Sequence, residues 1–173
     1  MKKLLLTLLL GAIMSVGFTQ TTSEQRNAIR AQRQAKSVTQ LTTALKNQNF
    51  TFTAQTMTPA FGFTVNVSGI NNFLSFENSF LDCQLPYNSV NPTLVFQSMN
   101  FTASDYNYSF NVVGTTAYVV AVAPIVVNMD GQSTVPQGVV IHIQVELNSG
   151  NATLTIAPTL NSAVTYSGSC NMN

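Results

Sequence analysis

From Phe50 to the end of the chain, apolar and polar residues alternate with a period of two, and this pattern most restricts what the sequence can fold into. Side chains on a strand point to opposite faces in turn, so such runs predict half-buried β-strands. "NFTFTA" and "GFTVNVSG" alternate in this way, the second with Phe63, Val65 and Val67 on one face, and "TMTPAFG" supplies the Pro and Gly of a connection. The same style continues through "FLSFENSFLDCQLP", "TLVFQSM", "MNFTA", "DYNYSFNV", "TAYVVAVAPIVV", "GVVIHIQVEL", "ATLTIAP" and "SAVTYSGSC". Asp130-Gly131 and the "NSGN" stretch at 148–151 are tight-turn signals, so the last strands are expected to pair with their sequence neighbours. The predicted class is mainly β within an α+β arrangement: an antiparallel sheet of about eight strands carrying one N-terminal amphipathic helix.

The helix is read from residues 20–46. Thr21 with Glu24 fits a capping box, and Ala28, Ala31, Ala35, Val38 and Leu45 recur at three- and four-residue steps with Leu41 at the margin. Arg26, Arg30 and Arg33 fall almost opposite that stripe, so they point away from whatever the helix docks on. With Lys36 and Lys46 they are all the Lys and Arg beyond Lys3. The body at 47–173 has Glu77, Asp82, Asp105, Asp130 and Glu146 and no compensating base. A solvated face accounts for such a stripe, and so does a surface for lipid head groups, acidic polysaccharide or a protein partner.

Lys2 and Lys3 precede "LLLTLLLGAIMSVG", too short an apolar run to span a bilayer and followed by small residues, which predicts a cleaved signal peptide over 1–19. The expected destination is the periplasm or the cell exterior. No cysteine lies near the cleavage region, so lipid anchoring is not expected, and no later apolar stretch predicts a transmembrane segment. Charged residues make up 8% of the chain, and Asn, Thr, Ser and Gln supply its polar surface instead. Basic clusters interleaved with stacking aromatics are missing, which argues against nucleic acid.

"NFTFTAQTMTPAFGFTVNVSG", "NNFLSFENSFLDCQLPY" and the closing "AVTYSG" together resemble a family of small exported bacterial proteins, common in gut Bacteroidetes and classified as a domain of unknown function. The resemblance runs from the N-terminal helix through Gly168, and its most specific pieces are Leu85-Pro86-Tyr87 and Tyr166-Ser167-Gly168. Family members usually follow the Leu-Pro-Tyr with an aromatic residue and Gly, where this chain has Asn88-Ser89. They also carry a basic residue a few positions before the final Tyr, where this chain has Leu160 or a neighbour. The resemblance implies export and a helix-plus-sheet fold, and brings no activity.

Read on their own chemistry, the two motifs end or bend strands. Pro86 has no amide proton for a ladder, and Gly168 permits a bulge or a close backbone approach. Tyr87 and Tyr166 either anchor strand ends or line a binding pocket with a flat ring and a hydroxyl. Cys83 and Cys170 flank the motifs, and in an exported chain they are read as a candidate disulfide, the alternative being a buried free Cys83. In "VVIHIQVEL", Val139, Ile141, Ile143, Val145 and Leu147 share the inner face, leaving His142 outward with Gln144 and Glu146. An acid–base hydrolase would need His142 with a carboxylate from elsewhere in the fold. One histidine and two separated cysteines give no metal-ligand spacing, and the chain has no phosphate-cradling glycine motif, nucleophile elbow or dinucleotide fingerprint, so no metal or cofactor is expected. The preferred reading is a non-enzymatic binding or interaction module whose partner is a glycan, an anionic envelope surface or a protein.

Overall fold

The computed structural model describes residues 22–69, 72–87, 97–129, 132–159 and 162–173. The signal segment, the Asp130-Gly131 turn and the Asn88-Ser89 and Leu160 departures lie outside them. The chain divides into two units, Met1–Gln34 and Ala35–Asn173.

Helix α1 runs Ser23–Lys46. Its cap is a reciprocal pair one residue later than the sequence suggested: the Gln25 amide donates to Thr22 Oγ1 at 3.3 Å, and the Thr22 amide to Gln25 Oε1 at 3.1 Å. Every residue from Thr22 to Ser37 is exposed, Ala28, Ala31 and Ala35 included, and burial begins with Leu41, Ala44 and Leu45. Gln48, at φ 55°, takes the left-handed conformation that ends the helix, and the Asn49 amide closes it by donating to the Ala44 carbonyl at 2.9 Å.

Ten strand segments follow: β1 Phe50–Pro59, β2 Val65–Asn66, β3 Phe73–Glu77, β4 Phe80–Tyr87, β5 Gln97–Ala103, β6 Asn107–Val113, β7 Thr116–Met129, β8 Gln132–Glu146, β9 Asn151–Pro158 and β10 Val164–Met172. All their pairings are antiparallel. β2 and β3 lie end to end along one edge of β1, and β5 and β6 end to end along β7. The ten segments thus form eight staves, each beside its neighbours in sequence. β10 pairs with β1 from Phe50↔Met172 to Pro59↔Val164, which closes the sheet into a meander barrel. The antiparallel sheet expected from the sequence is present, and its strand order, which the sequence left open, makes it a ring.

"FLSFENSFLDCQLP", one run in the sequence, is a hairpin, because Asn78 and Ser79 both adopt positive φ (50° and 66°) in a two-residue turn. Gly150, at φ 74°, makes the expected turn between β8 and β9. Phe63 does not join the face of Val67. It lies in the β1–β2 connection and is 86% exposed, whereas Val67 is buried.

The barrel interior is filled. Phe50 and Phe52 of β1, Leu74 and Phe76 of β3, Leu81 and Leu85 of β4, and Ile141 and Ile143 of β8 are buried in one cluster with Leu154 and Ile156 of β9. Each such side chain contributes about 1.5–3 kcal/mol of burial. Phe50 stacks on Phe76 at 4.9 Å, and Tyr106 and Tyr108 meet Phe76 edge-on at 5.8 and 5.6 Å. The last turn of α1 caps this end of the barrel: the Tyr108 hydroxyl donates to the Leu45 carbonyl, and the Tyr106 hydroxyl reaches Gln48 Oε1 at 2.7 Å. The half-buried face of Tyr106, Tyr108 and Phe110 is thus part of the core. Among the described residues no helix is long and apolar enough to cross a membrane.

Candidate functional site

The wall of the barrel is interrupted between β5 and β7. Among the described residues their ladder holds at Met99↔Met129 and Asn100↔Asn128, and pairing resumes along β6 at Asn107↔Val122. Between those points, segment 101–106 is one residue longer than the segment 123–127 it faces. Pro124, in the shorter segment, has no amide proton to donate. An extra residue opposite a proline forces the two paths apart. The result is a cleft of about 710 Å3 lined by Asp82, Cys83 and Gln84 of β4, Asn100–Ala103 of β5, Ser104, Asp105 and Pro124.

Register sets what this cleft presents. Asp82 lies opposite Thr102 and Gln84 opposite Asn100, so these four side chains share the outer face of the β4–β5 pair. Ser104 and Asp105, both exposed, extend the row past the strand end. Two carboxylates line the cleft with a set of amide and hydroxyl groups, and none of the described lining residues is cationic. Phe101 is 5% exposed and offers no ring for stacking. Cys83 is buried, its thiol 3.8 Å from the Met99 carbonyl, and burial together with the Asp82 charge pushes its pKa well above the ordinary value. A thiol held protonated is no nucleophile. The cleft suits recognition of hydrogen-bond donors and cations.

Of the residues singled out in the sequence, Cys83 belongs to this lining, while the tyrosines, His142 and the arginines lie elsewhere. Tyr87 and Tyr166 are both fully buried. The Tyr166 hydroxyl donates to the Pro86 carbonyl at 2.7 Å, and the Tyr87 hydroxyl to the Ser162 carbonyl at 3.2 Å. β4 and β10 are separated by β3 and β1 around the ring, so Tyr166 ties two walls of the barrel together. Burial raises the pKa of both phenols. The two motifs do meet, then, and what they make is a structural lock. Gly168 belongs to it: a Cβ there would stand 2.9 Å from the Thr53 carbonyl carbon and 3.1 Å from Ala54 Cα, where β1 bulges between Ala54 and Thr56.

Cys83 and Cys170 are free, buried thiols, which corrects the expected disulfide. Cys170 pairs with Phe52, Phe52 with Leu74, and Leu74 with Cys83, so the cysteines sit three strands apart in one row of the barrel. A strand spacing is about 4.8 Å, whereas bridged Cα atoms lie within about 7 Å. His142 is exposed on the outer face of β8, between Val120 and Thr155 in register. Glu146 instead accepts a hydrogen bond from Thr116 Oγ1 at 3.0 Å. The register puts no carboxylate beside His142. Arg26, Arg30 and Arg33 are exposed on α1. Among the described residues no three His, Cys, Asp or Glu cluster where they could hold a metal ion. Another depression, of about 460 Å3, lies over the bulge and is lined by Gln55, Gln144, Glu146, Thr153 and Ser167 among others.

The profile of a family described as a domain of unknown function (DUF4251) matches residues 32–170. The fold is similar to the crystal structure of a DUF4251 family protein from Bacteroides eggerthii DSM 20697, with a TM-score of 0.55 and 25% sequence identity over 80% of this chain and 91% of that one. No curated protein matches the chain.

Proposed function

Because the chain belongs to the DUF4251 family, a domain of unknown function, we propose a function from its own geometry: an exported, non-enzymatic interaction module that binds a protein partner through that partner's cationic side chains. The observation that carries this reading is the cleft, where Asp82 and Asp105 join Gln84, Asn100, Thr102 and Ser104 in a wall without a described cation. A guanidinium presents five donors in a fork and needs several acceptors at once, which this row supplies. A neutral glycan is a poorer fit, since sugar faces stack on exposed rings and Phe101, the one aromatic among the described lining residues, is buried. Export rests on Lys2, Lys3 and the apolar run after them.

The test is a thermal-shift titration of the protein with a short arginine-rich peptide and with neutral oligosaccharides. The peptide at about 100 times its Kd is expected to stabilise by about 2.7 kcal/mol. Asp82→Asn with Asp105→Asn should abolish the shift. A response to oligosaccharide and none to the peptide would overturn the reading.

A further inference from the structure

The cations that fit this cleft are carried by the chain itself. Residues 22–46 hold Arg26, Arg30, Arg33, Lys36 and Lys46 against Glu24, a net charge of +4. Residues 47–173 hold five acids and no Lys or Arg, a net charge of −5. Two of those acids, Asp82 and Asp105, line one cleft. Over about four turns of α1, from Thr22 to Ser37, every residue is exposed. Arg30 and Arg33 stand three residues apart on that helix, and so project as neighbours from one face. A helical stretch exposed on all sides gains little stability from its own sequence and is held best by a partner.

We infer that the occupant of the cleft is a second copy of this chain, whose α1 presents Arg30 and Arg33 to Asp82 and Asp105. The inference rests on the reading of the cleft as a receptor for cationic side chains and names the partner. Opposite charges of similar size on the two parts make one copy complementary to another and steer their encounter. The distribution of charge along the sequence fits this arrangement: residues 47–173 have no Lys or Arg of their own to compete for the acidic cleft. Amide and hydroxyl acceptors at Gln84, Asn100 and Thr102 take the guanidinium protons that the carboxylates leave over.

The experiment is sedimentation velocity of the full processed protein at 5–200 μM in about 20 mM and about 500 mM NaCl, a range that shortens the screening length several-fold. Wild type is expected to associate at low salt, with the association constant falling at least tenfold at high salt. Arg30→Glu with Arg33→Glu, and separately Asp82→Lys with Asp105→Lys, should each remain monomeric. Mixing these two variants should restore a heterodimer. A wild type that stays monomeric at 200 μM and low salt overturns the inference, as does association that survives both charge reversals. Binding of α1 to phosphatidylglycerol vesicles without self-association overturns it too. If the arginine peptide still stabilises the protein in those cases, the reading of the cleft stands and only the identity of the partner is wrong.

Discussion

Replacing Gly168 by alanine probes the closure of the barrel at its tightest point. The added methyl would fall inside contact distance of the Thr53 carbonyl oxygen, 2.9 Å from the carbonyl carbon behind it and 3.1 Å from Ala54 Cα. All three atoms are main chain in the middle of the β1–β10 ladder, so no side-chain rotation relieves the clash. Either the strands part or the bulge rearranges. Parting them weakens about two ladder hydrogen bonds at about 0.5–1.5 kcal/mol each. Overpacking adds about 1–3 kcal/mol. The combined loss of about 3–4 kcal/mol corresponds to a fall in Tm of about 10 °C for a domain of this size. Ser169→Ala, next in sequence and adding no atom to the ladder, should shift Tm by less than about 2 °C. Calorimetry of the two variants decides the matter. A Gly168→Ala protein melting within about 2 °C of wild type would refute the close approach and, with it, the account of the bulge.

Other outcomes follow from the buried groups. Burial pushes the Cys170 thiol from 9.0 to about 12, and Cys83 shifts in the same direction. A raised folded pKa gives stability that is complete below pH 9 and is lost as pH rises toward 12, about 4 kcal/mol for Cys170 alone. Urea midpoints measured from pH 8 to 11.5 should fall steeply, and less steeply in Cys170→Ala. Because the thiols are unpaired, a reductant should leave Tm unchanged, and a drop beyond about 4 °C would mean that a disulfide had formed. Tyr166→Phe strands the Pro86 carbonyl and should cost about 1–2 kcal/mol, read as a lower urea midpoint at constant slope. His142→Ala, on the exposed outer face, should change stability by less than about 0.5 kcal/mol.

Local pattern carried the strands, and geometry at a distance decided the rest. The alternation from Val139 to Leu147 correctly placed five apolar side chains inside and His142 outside, because side-chain direction is set by the strand itself. Closure of the ring was not legible. It depends on β1 meeting β10 across most of the chain, a pairing no local signal encodes. The Asn78-Ser79 turn carries no glycine to mark it in the sequence, yet both residues adopt the positive φ of a two-residue hairpin and split one apparent strand. Tyr87 and Tyr166 carry two readings in the sequence, and the fold buries both rings with their hydroxyls on the Ser162 and Pro86 carbonyls. The cleft arises from a length mismatch of one residue between 101–106 and 123–127. Its visible traces in the sequence were Pro124 inside an apolar run and the Ser104-Asp105 break before Tyr106. The cysteines misled because spacing along the chain says nothing about how many strands lie between them.

The most direct test of the central claim, recognition of cationic side chains at the break in the barrel wall, is an amide chemical-shift map of the protein titrated with the arginine-rich peptide. The account predicts that the largest shifts fall on Asp82, Cys83 and Gln84 and on residues 100–105, and that they vanish in Asp82→Asn with Asp105→Asn. Shifts confined to Gln144, Thr153 and Ser167 over the bulge, or to the exposed Phe61 and Phe63, would contradict it.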